Sequence, residues 1–360
     1  MNKLIPFLFF SLICLPAAAE YIIETVAEGF DHPWSISFLP DGDYLVTTRP
    51  GEVYRVTPGG DKGQALTGTP TAYVAGQGGY FDVIPDPDFA TNQTVYLSYA
   101  GGTPEANGTT IMRAILGEQG FEDAEVIYSA MPTKDTAAHY GGKLAFLLDG
   151  TLLVTTGDGF EYREAAQNKD SQLGKVIRIN SDGSVPADNP FVNGGGDPKV
   201  YSYGHRNPQG LAVDSTTGNI YVHEHGPKGG DELNLIAPGA NYGWPAVTFG
   251  ENYSGAYVSP LKTYSGITDP LHYWVPSIAP SGLAFYDGAV FPEWKGDLFV
   301  GALVDQEVRR LDMENGKVVA EEALFSEIAE RIRDVRTGPD GNLYLITDSD
   351  NGKILRVTAP

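Results

Sequence analysis

The fold is decided by the segment Pro339-Asp-Gly-Asn-Leu-Tyr-Leu-Ile-Thr347, in which a tight turn leads into a short apolar strand. A strand of this kind occurs six times, and most copies follow an Asp-Gly or a Gly-Asn turn. The copies begin at Tyr44, Val95, Leu152, Ile220, Leu298 and Leu343. Their spacing ranges from 45 residues (298 to 343) to 78 residues (220 to 298). Repeats of this length and strand content are typical of propeller blades.

A second kind of strand, with a charged or polar residue between aliphatic ones, follows each copy. These strands are Val53–Val56, Ile111–Ala114, Val176–Ile179, Leu233–Ile236, Val308–Leu311 and Ile354–Val357. Six strand pairs predict an all-β fold, a six-bladed β-propeller of four-stranded antiparallel blades. Tyr21–Val26 is expected to be an outer strand that closes the ring against the C-terminal blade, which removes free sheet edges. Helical periodicity is weak, and Ala320–Ile332 is the best helical candidate.

The first 19 residues are predicted to be a signal peptide, followed by a propeller domain over residues 20–360. Lys3 precedes the apolar run Ile5–Leu15, which is too short to span a bilayer. Small residues at Ala17–Ala19 suit a cleavage site near Ala19. Cleavage removes Cys14, the only cysteine, so the mature chain has no disulfide. We therefore expect a soluble periplasmic or secreted protein.

The formal net charge of −22 excludes two classes of partner. Nucleic acids and anionic membrane surfaces are bound by clustered Lys and Arg side chains, which this composition does not favour. Neither nucleic-acid binding nor membrane insertion is expected. Nothing in the sequence requires a state beyond a monomer or a weak dimer.

Two loop motifs carry residues suited to chemistry. His139-Tyr-Gly-Gly142 precedes a strand and Asp158 follows it, which offers the histidine–carboxylate pair of a general base. A turn-capping role for His139 is an equally simple interpretation. In Gly204-His-Arg-Asn-Pro-Gln-Gly210, Arg206 is suited to bind a carboxylate, although the Asn-Pro and Gln-Gly pairs also make ordinary turns.

The densest motif is His223-Glu-His-Gly-Pro-Lys-Gly-Gly-Asp-Glu-Leu-Asn234. His223 and His225 alternate on a strand, which is compatible with zinc, but no third ligand stands at a recognisable spacing. A Gly-Pro turn beside Asp231 and Glu232 presents the carbonyl and carboxylate oxygens that calcium prefers. A purely structural turn is the simpler alternative.

Cations and aromatic residues near the C-terminal half point to an anionic or planar ligand. Arg331 and Arg333 alternate on one strand face, which favours an anionic ligand in so acidic a protein. Tyr253 and Trp274 lie in Gly- and Pro-rich segments, where exposed aromatic rings stack on planar or sugar ligands; core packing is the commoner explanation for each.

In order and combination, these motifs resemble the soluble aldose sugar dehydrogenases of the glucose/sorbosone dehydrogenase family. The resemblance runs from Phe30-Asp-His-Pro-Trp-Ser-Ile-Ser-Phe-Leu-Pro-Asp-Gly42 to Pro339-Asp-Gly-Asn-Leu-Tyr344, nearly the whole mature chain. Its most specific stretches are Gly76–Gly79 with Asp82, Pro87–Phe89, His139–Gly142, Gly204–Gly210, Glu224–Asn234 and Asn241–Pro245.

The resemblance implies an enzyme that oxidises aldose sugars at C1 to lactones with pyrroloquinoline quinone (PQQ) and calcium as cofactors, and passes electrons to an external acceptor. It implies that His139 is the general base and that Asp158 orients it. Quinone contacts are implied for Gln77, Arg206, Asn207, Tyr253, Arg331 and Arg333. Gly226 and Pro227 are implied to hold the catalytic calcium through backbone carbonyls, and Glu232 and Tyr242 to bind a second, structural calcium.

Two positions depart from the family pattern. Where the family commonly has a lysine that contacts the quinone, this chain has Val304, followed by Asp305. Because a charge-assisted contact is lost, we expect weaker quinone binding by roughly 1.5–3 kcal/mol. Lys143 stands where an arginine is usual, and we expect this change to have little effect.

Two other functions compete with this interpretation. A calcium-dependent propeller lactonase needs metal-bound carboxylates around the central channel and no quinone, so the pair Arg331 and Arg333 argues against it. A non-catalytic binding propeller is the second alternative, because a fold alone does not specify a function.

Overall fold

The computed structural model describes residues 21–360, and the predicted signal peptide lies outside them. The described chain forms six four-stranded antiparallel sheets. The first strand of each blade packs against the first strands of its two neighbours, so the sheets close into a ring. The predicted six-bladed β-propeller is confirmed.

The strands follow one another in blade order. β1 (Ile22–Phe30) belongs to the last blade. Blade one consists of β2 (Pro33–Phe38), β3 (Tyr44–Thr48), β4 (Glu52–Val56) and β5 (Lys62–Ala65). Blade two consists of β6 (Tyr80–Pro85), β7 (Thr94–Thr103), β8 (Ala106–Leu116) and β9 (Phe121–Ser129). Blade three consists of β10 (Gly141–Phe146), β11 (Leu152–Thr156), β12 (Lys175–Ile179) and β13 (Val200–Tyr203).

The second half of the ring repeats this plan. Blade four consists of β14 (Pro208–Val213), β15 (Ile220–Glu224), β16 (Asp231–Ile236) and β17 (His272–Trp274). Blade five consists of β18 (Pro280–Phe285), β19 (Leu298–Ala302), β20 (Glu307–Glu314) and β21 (Lys317–Leu324). Blade six consists of β22 (Ile332–Thr337), β23 (Leu343–Thr347), β24 (Gly352–Thr358) and β1. The short helices are α1 (Phe89–Asn92) and the 3₁₀ turns Arg163–Gln167, Pro292–Trp294 and Ser326–Ile328.

The repeated sequence pattern marks the second strand of every blade. β3, β7, β11, β15, β19 and β23 all contain a predicted copy, and the third strands contain the predicted partners. The second strands β3, β11, β15, β19 and β23 are buried along their whole length, which is why their aliphatic pattern stands out in the sequence. The predicted closing strand is also confirmed, since β1 pairs with β24 in a register that sets Ile22 opposite Thr358.

The helix predicted at Ala320–Ile332 is wrong. The segment continues β21 to Leu324, forms the 3₁₀ turn Ser326–Ile328 and then enters β22. β21 is the outermost strand of its blade and most of its residues are exposed, so it shows no alternation of apolar and polar residues. Cross-strand pairing, such as the ion pair between Arg310 and Glu322, fixes it as a strand.

A buried ionic network spans blades two, three and six around the propeller axis. Lys143 on β10 donates to Asp334 on β22 at 2.7 Å. Arg336, also on β22, donates to Asp334 at 3.0 Å and to Asp82 on β6 at 2.8 Å. The ammonium of Lys143 lies 4.6 Å from the ring centre of Trp34. The network ties the innermost strands together directly beside the cavity that Trp34 lines.

Within residues 21–360, no helix is long and apolar enough to cross a membrane.

Candidate active site

A cavity of about 870 Å³ opens at one end of the propeller. Most of its wall comes from two sets of loops: those that enter the innermost strand of each blade and those that leave the second strand. His139, Asn207 and Arg331 lie in the first set, just before β10, β14 and β22. Gly226 and Val304 lie in the second, after β15 and β19. The long loop between β16 and β17 adds Phe249, Glu251 and Tyr253. Rigid strands therefore present loop side chains from all sides of the ring.

His139 and Asp158 form the predicted pair. Nδ1 of His139 lies 2.6 Å from Oδ1 of Asp158, and both side chains are buried. A carboxylate only accepts hydrogen bonds, so the proton of the neutral imidazole resides on Nδ1 and Nε2 keeps its lone pair. The backbone of His139 adopts a left-handed conformation (φ 51°), and its N–H donates to Oε1 of Gln77 at 2.7 Å. Gln77 thus fixes the loop that carries the imidazole.

The surroundings of His139 keep its imidazole neutral. Burial lowers its pKa below the ordinary value of 6.5, and the hydrogen bond to Asp158 opposes this shift. The positive charges of Arg206 and Lys134 lower the pKa further. A neutral imidazole at neutral pH is the state that a general base requires.

Arg206 is held by a buried relay behind the cavity. Ser202 contacts Nε2 of His205 at 2.9 Å, and Nδ1 of His205 contacts Glu224 at 2.8 Å. The backbone N–H of Arg206 donates to the other oxygen of Glu224. This relay has the residue order of a hydrolytic triad, but Ser202 and His205 are fully buried, so it serves to hold Arg206 in place.

Arg331 and Arg333 meet at one carboxylate. Both guanidinium groups donate to Oδ2 of Asp348, at 3.0 and 2.9 Å. Asp348 itself is nearly buried, and Arg331 remains partly exposed. The two arginines therefore share a single counter-charge and retain net positive charge at the cavity wall.

The cavity is positively charged in a strongly acidic protein. Five permanent cations line it, against the two carboxylates Glu251 and Asp348. The cations are Arg49, Arg206, Lys228, Arg331 and Arg333. The chain as a whole carries −22, so this local excess is selective for an anionic ligand.

The predicted calcium carbonyls line the cavity, but one of them is already engaged. Nη1 of Arg206 donates to the carbonyl of Gly226 at 2.7 Å, and Pro227 follows it along the wall. Asp231 accepts hydrogen bonds from the backbone of Gly226 and from Ser277, Ile278 and Ala279. Asp231 therefore organises the loops and has little capacity left to bind a cation.

Glu232 and Tyr242 lie outside the cavity. Glu232 is buried opposite Glu224 on the neighbouring strand, beside a void of about 10 Å³ that both carboxyl groups line. Burial, and next the charge of Glu224, hold the pKa of Glu232 well above its ordinary value. The hydroxyl of Tyr242 donates to Leu235 at 2.7 Å, so it is occupied within the protein. No cluster of three or more His, Cys, Asp or Glu side chains suited to a metal occurs among residues 21–360.

The structure brings most of the predicted site residues together. The predicted residues that line the cavity are Gln77, His139, Arg206, Asn207, Gly226, Pro227, Tyr253, Arg331 and Arg333, and Val304 joins them. Asp158 lies behind His139. Trp274 was expected in a loop; it instead ends β17, where it is buried and donates its indole N–H to Glu321 at 3.0 Å, so it is a core residue.

Apart from His225, which was weighed only as a zinc ligand, sequence reasoning missed a set of residues that share one place in the repeat. Arg49, His225, Leu303 and Asp348 each follow the last residue of a second strand, and all four line the cavity. Since the second strands are the most recognisable part of the sequence, the residue directly after each one would have pointed to these four positions, although Pro104 and Gly157, which follow β7 and β11, do not line the cavity. The other missed lining residues include His32, Trp34, Gln209 and Lys228.

The sequence profile of glucose/sorbosone dehydrogenases matches residues 30–356. The chain belongs to the glucose/sorbosone dehydrogenase family. Its relatives in this family include the aldose sugar dehydrogenase of Escherichia coli, which is 38% identical over 98% of this chain and 98% of the relative.

Solved structures of the family have the same fold over almost the full length. A glucose dehydrogenase is 45% identical, with a TM-score of 0.91 over 94% of this chain and 100% of the other. The PQQ-bound aldose sugar dehydrogenase of Streptomyces coelicolor is 29% identical, with a TM-score of 0.79 over 94% of this chain and 99% of the other. Membership of this family makes the protein a sugar dehydrogenase.

Proposed function

We propose that this sugar dehydrogenase oxidises aldoses at C1 to lactones, with PQQ bound in the cavity and His139 as the general base. The observation that carries the proposal is the juxtaposition of five cations with a buried His139–Asp158 pair in one cavity. An anion-selective pocket beside a neutral base matches a polyanionic redox cofactor and a substrate that must lose a proton.

The residues present suit a quinone with three carboxylates. Arg331, Arg333 and Arg206 would offset its charge, and Gln77, Asn207 and Tyr253 offer hydrogen-bonding or stacking contacts. When bound, PQQ supplies the acceptor for the C1 hydride of the sugar, and a calcium ion against it increases its electrophilicity.

His139 handles the proton of the reaction. Nε2 accepts the proton of the anomeric hydroxyl as the C1 hydrogen leaves with its electron pair, so the C1–O bond becomes the carbonyl of the lactone. Asp158 keeps Nδ1 protonated and stabilises the imidazolium that results. Burial, together with the positive charges of Arg206 and Lys134, keeps the base neutral beforehand by lowering its pKa.

Two calcium ions complete the proposal. The carbonyls of Gly226 and Pro227 would hold the catalytic ion, and the oxygen of Gly226, which accepts one hydrogen bond from Arg206, keeps a second lone pair for it. The second ion would lie near Glu232, a buried carboxyl that lacks a cationic partner among the described residues. The hydroxyl of Tyr242 is occupied, which leaves its carbonyl as the ligand.

We further propose that the mature enzyme is periplasmic or secreted, acts as a monomer or weak dimer and passes its electrons to an external acceptor. The periplasmic or secreted location rests on Lys3 and the apolar run Ile5–Leu15.

Dye reduction by the purified mature protein with aldoses tests the proposal. Activity is expected only with both PQQ and calcium, and His139→Ala is expected to abolish it. His272→Ala is the matched control, because His272 pairs with Glu321 on the outer face of blades four and five and lies outside the cavity.

No dye reduction at saturating PQQ and calcium, with no quinone binding by calorimetry, would contradict the dehydrogenase mechanism. Lactone hydrolysis that needs calcium and no quinone would support the lactonase alternative. Absence of both activities, with His139→Ala unchanged in every ligand-binding assay, would leave a non-catalytic propeller.

A further inference from the structure

The carboxylate of Asp158 accepts three hydrogen bonds, and only one comes from His139. Oδ1 accepts from Nδ1 of His139 at 2.6 Å and from the backbone N–H of Phe160 at 2.8 Å. Oδ2 accepts from Nε1 of Trp244 at 2.7 Å. Within residues 21–360, the indole of Trp244 is therefore the only side chain that donates a hydrogen bond to Oδ2 of Asp158.

Trp244 is itself held firmly. Its backbone N–H donates to Gly204 at 2.9 Å, and its carbonyl accepts from Gln167 at 2.7 Å. Gln167 and Asn241 exchange amide hydrogen bonds at 3.0 and 2.8 Å, which ties the Trp244 loop to the 3₁₀ turn Arg163–Gln167. The Trp244 side chain is 7% exposed. These contacts and the burial of the ring fix the orientation of the indole N–H toward Asp158.

The same ring contacts the anion-binding part of the cavity. The guanidinium carbon of Arg206 lies 5.3 Å from the ring centre of Trp244, within the range of a cation–π interaction. The backbone N–H of Asp158 also donates to the carbonyl of Arg206 at 2.8 Å. Trp244 therefore sits between the base and the cationic wall.

We propose that Trp244 is a positioning residue whose indole N–H fixes Asp158 and thereby sets the orientation and the basicity of His139. The N–H withdraws negative charge from the carboxylate that faces the imidazole. Without it, the carboxylate would attract the imidazolium more strongly and rotate more freely. Loss of the donor should therefore make His139 easier to protonate and less well aligned.

Other charged groups near His139 also influence its pKa and have to be considered as causes of any change. Asp158 follows β11, Arg206 precedes β14, and Lys134 precedes His139 on the same loop. His225, after β15, is neutral because burial holds its pKa well below 6.5. Of these groups, Trp244→Phe acts on Asp158, which loses the hydrogen bond from the indole, and on Arg206, whose contact is then with a smaller aromatic ring. Among the described residues, neither Lys134 nor His225 forms a hydrogen bond with Trp244.

NMR titration of the histidines in the cofactor-free protein tests the proposal without any catalytic assay. The chain has 6 histidines, so the spectrum is tractable. In Trp244→Phe, the pKa of His139 is expected to rise relative to the wild type. Trp274→Phe is the matched control, because Trp274 is equally buried and donates its N–H to the carboxylate of Glu321 away from the cavity. An unchanged His139 titration in Trp244→Phe would overturn the proposal.

Should the Phe variant fail to fold, the indole N–H resonance of Trp244 provides the test. It is expected downfield in the wild type and to move upfield in Asp158→Asn, whose neutral amide is a weaker acceptor. A resonance that does not respond to Asp158→Asn would overturn the contact.

The rate readout rests on the proposed function. Trp244→Phe is expected to lower kcat about tenfold, the usual cost of a charge-assisted hydrogen bond, with little change in KM. In an Asp158→Asn background, the same change should have almost no further effect; additive losses would overturn the proposal. A wild-type protein without sugar oxidation would refute the proposed function instead, and the NMR result would still decide the role of Trp244.

Discussion

Arg333 donates a hydrogen bond to Oδ2 of Asp348 at 2.9 Å, and Arg331 donates to the same oxygen at 3.0 Å. Burial raises the pKa of Asp348, but the two guanidinium groups lower it by more, so the pKa lies below the ordinary value of 3.8. Asp348 is therefore ionised at neutral pH and cancels one of the two positive charges that face the cavity.

Replacing Asp348 with Asn should tighten the binding of a polyanionic cofactor. The amide keeps one acceptor for the arginines but removes a negative charge from the cavity wall. We expect the Kd for PQQ to fall several-fold at low salt and the difference to shrink as salt screens the charge. Titration calorimetry at two salt concentrations measures this. Asp350→Asn, an exposed neighbour, is the control; weaker binding in Asp348→Asn would mean that the carboxylate mainly orients the arginines.

Val304 lies at the cavity in the position where the family resemblance implies a lysine. Its side chain is 61% exposed and lines the wall, while Asp305 is paired with Arg309 at 2.7 Å. In Val304→Lys, the new side chain should supply a charge-assisted contact to the cofactor. Such a contact contributes roughly 1.5–3 kcal/mol to binding, which corresponds to a Kd for PQQ about 10- to 100-fold lower. Val319→Lys, on the exposed outer strand β21, adds the same charge elsewhere. Equal effects of the two changes would refute a specific role for position 304.

The pH dependence of kcat/KM should have its acidic limb below pH 6.5. His139 must be neutral to accept a proton, and burial lowers its pKa below 6.5, so activity persists at neutral pH and is lost only as the pH falls through the lowered value. In Asp158→Asn, the hydrogen bond that raises this pKa is lost, so the limb should move to still lower pH while the rate falls. A limb above pH 6.5 in the wild type would contradict this assignment of the base.

Much of the fold could be predicted from sequence because the second strand of each blade is buried on both faces. Its aliphatic run, set after a turn, is visible without any structural information. The outer strands gave no such signal, and β21 was mistaken for a helix because its exposed Glu and Ala residues pack against little. For the site, His139 and the two arginines stood out by residue type, whereas Arg49 and Asp348 are recognisable only by their place in the ring.

The axial ion pair of Lys143 and Asp334 should contribute strongly to stability. Both side chains are buried, so Lys143→Met leaves a buried carboxylate with fewer partners and should cost about 3–5 kcal/mol in the free energy of unfolding. Lys353→Met breaks the half-exposed pair with Glu330 and should cost no more than about 1 kcal/mol. Urea unfolding measures the free energy of unfolding of the two variants. Equal losses of this free energy would contradict a special stabilising role for the buried pair of Lys143 and Asp334.

Acid stability should change in the same variant. Burial raises the pKa of Asp82, but Arg336 and Lys143 lower it by more, so it lies below 3.8 in the folded protein. Its stabilising contribution is therefore present above pH 3.8 and lost as the pH falls below that value. Without Lys143, the pKa of Asp82 moves upward and the loss should begin at a higher pH, which thermal unfolding at a series of acidic pH values would detect.

The pairing of β1 with β24 also determines when the propeller ring can close during folding. Blade six combines β1 from the N-terminal part of the described residues with three strands from the C-terminal part. The complete blade therefore cannot form until Gly352–Thr358 is available to pair with Ile22–Phe30. During synthesis, the ring therefore stays open until residues 352–358 have been made. Until then the flanking strands of the first and last blades lack their neighbours, and the pairing of Gly352–Thr358 with Ile22–Phe30 closes the ring.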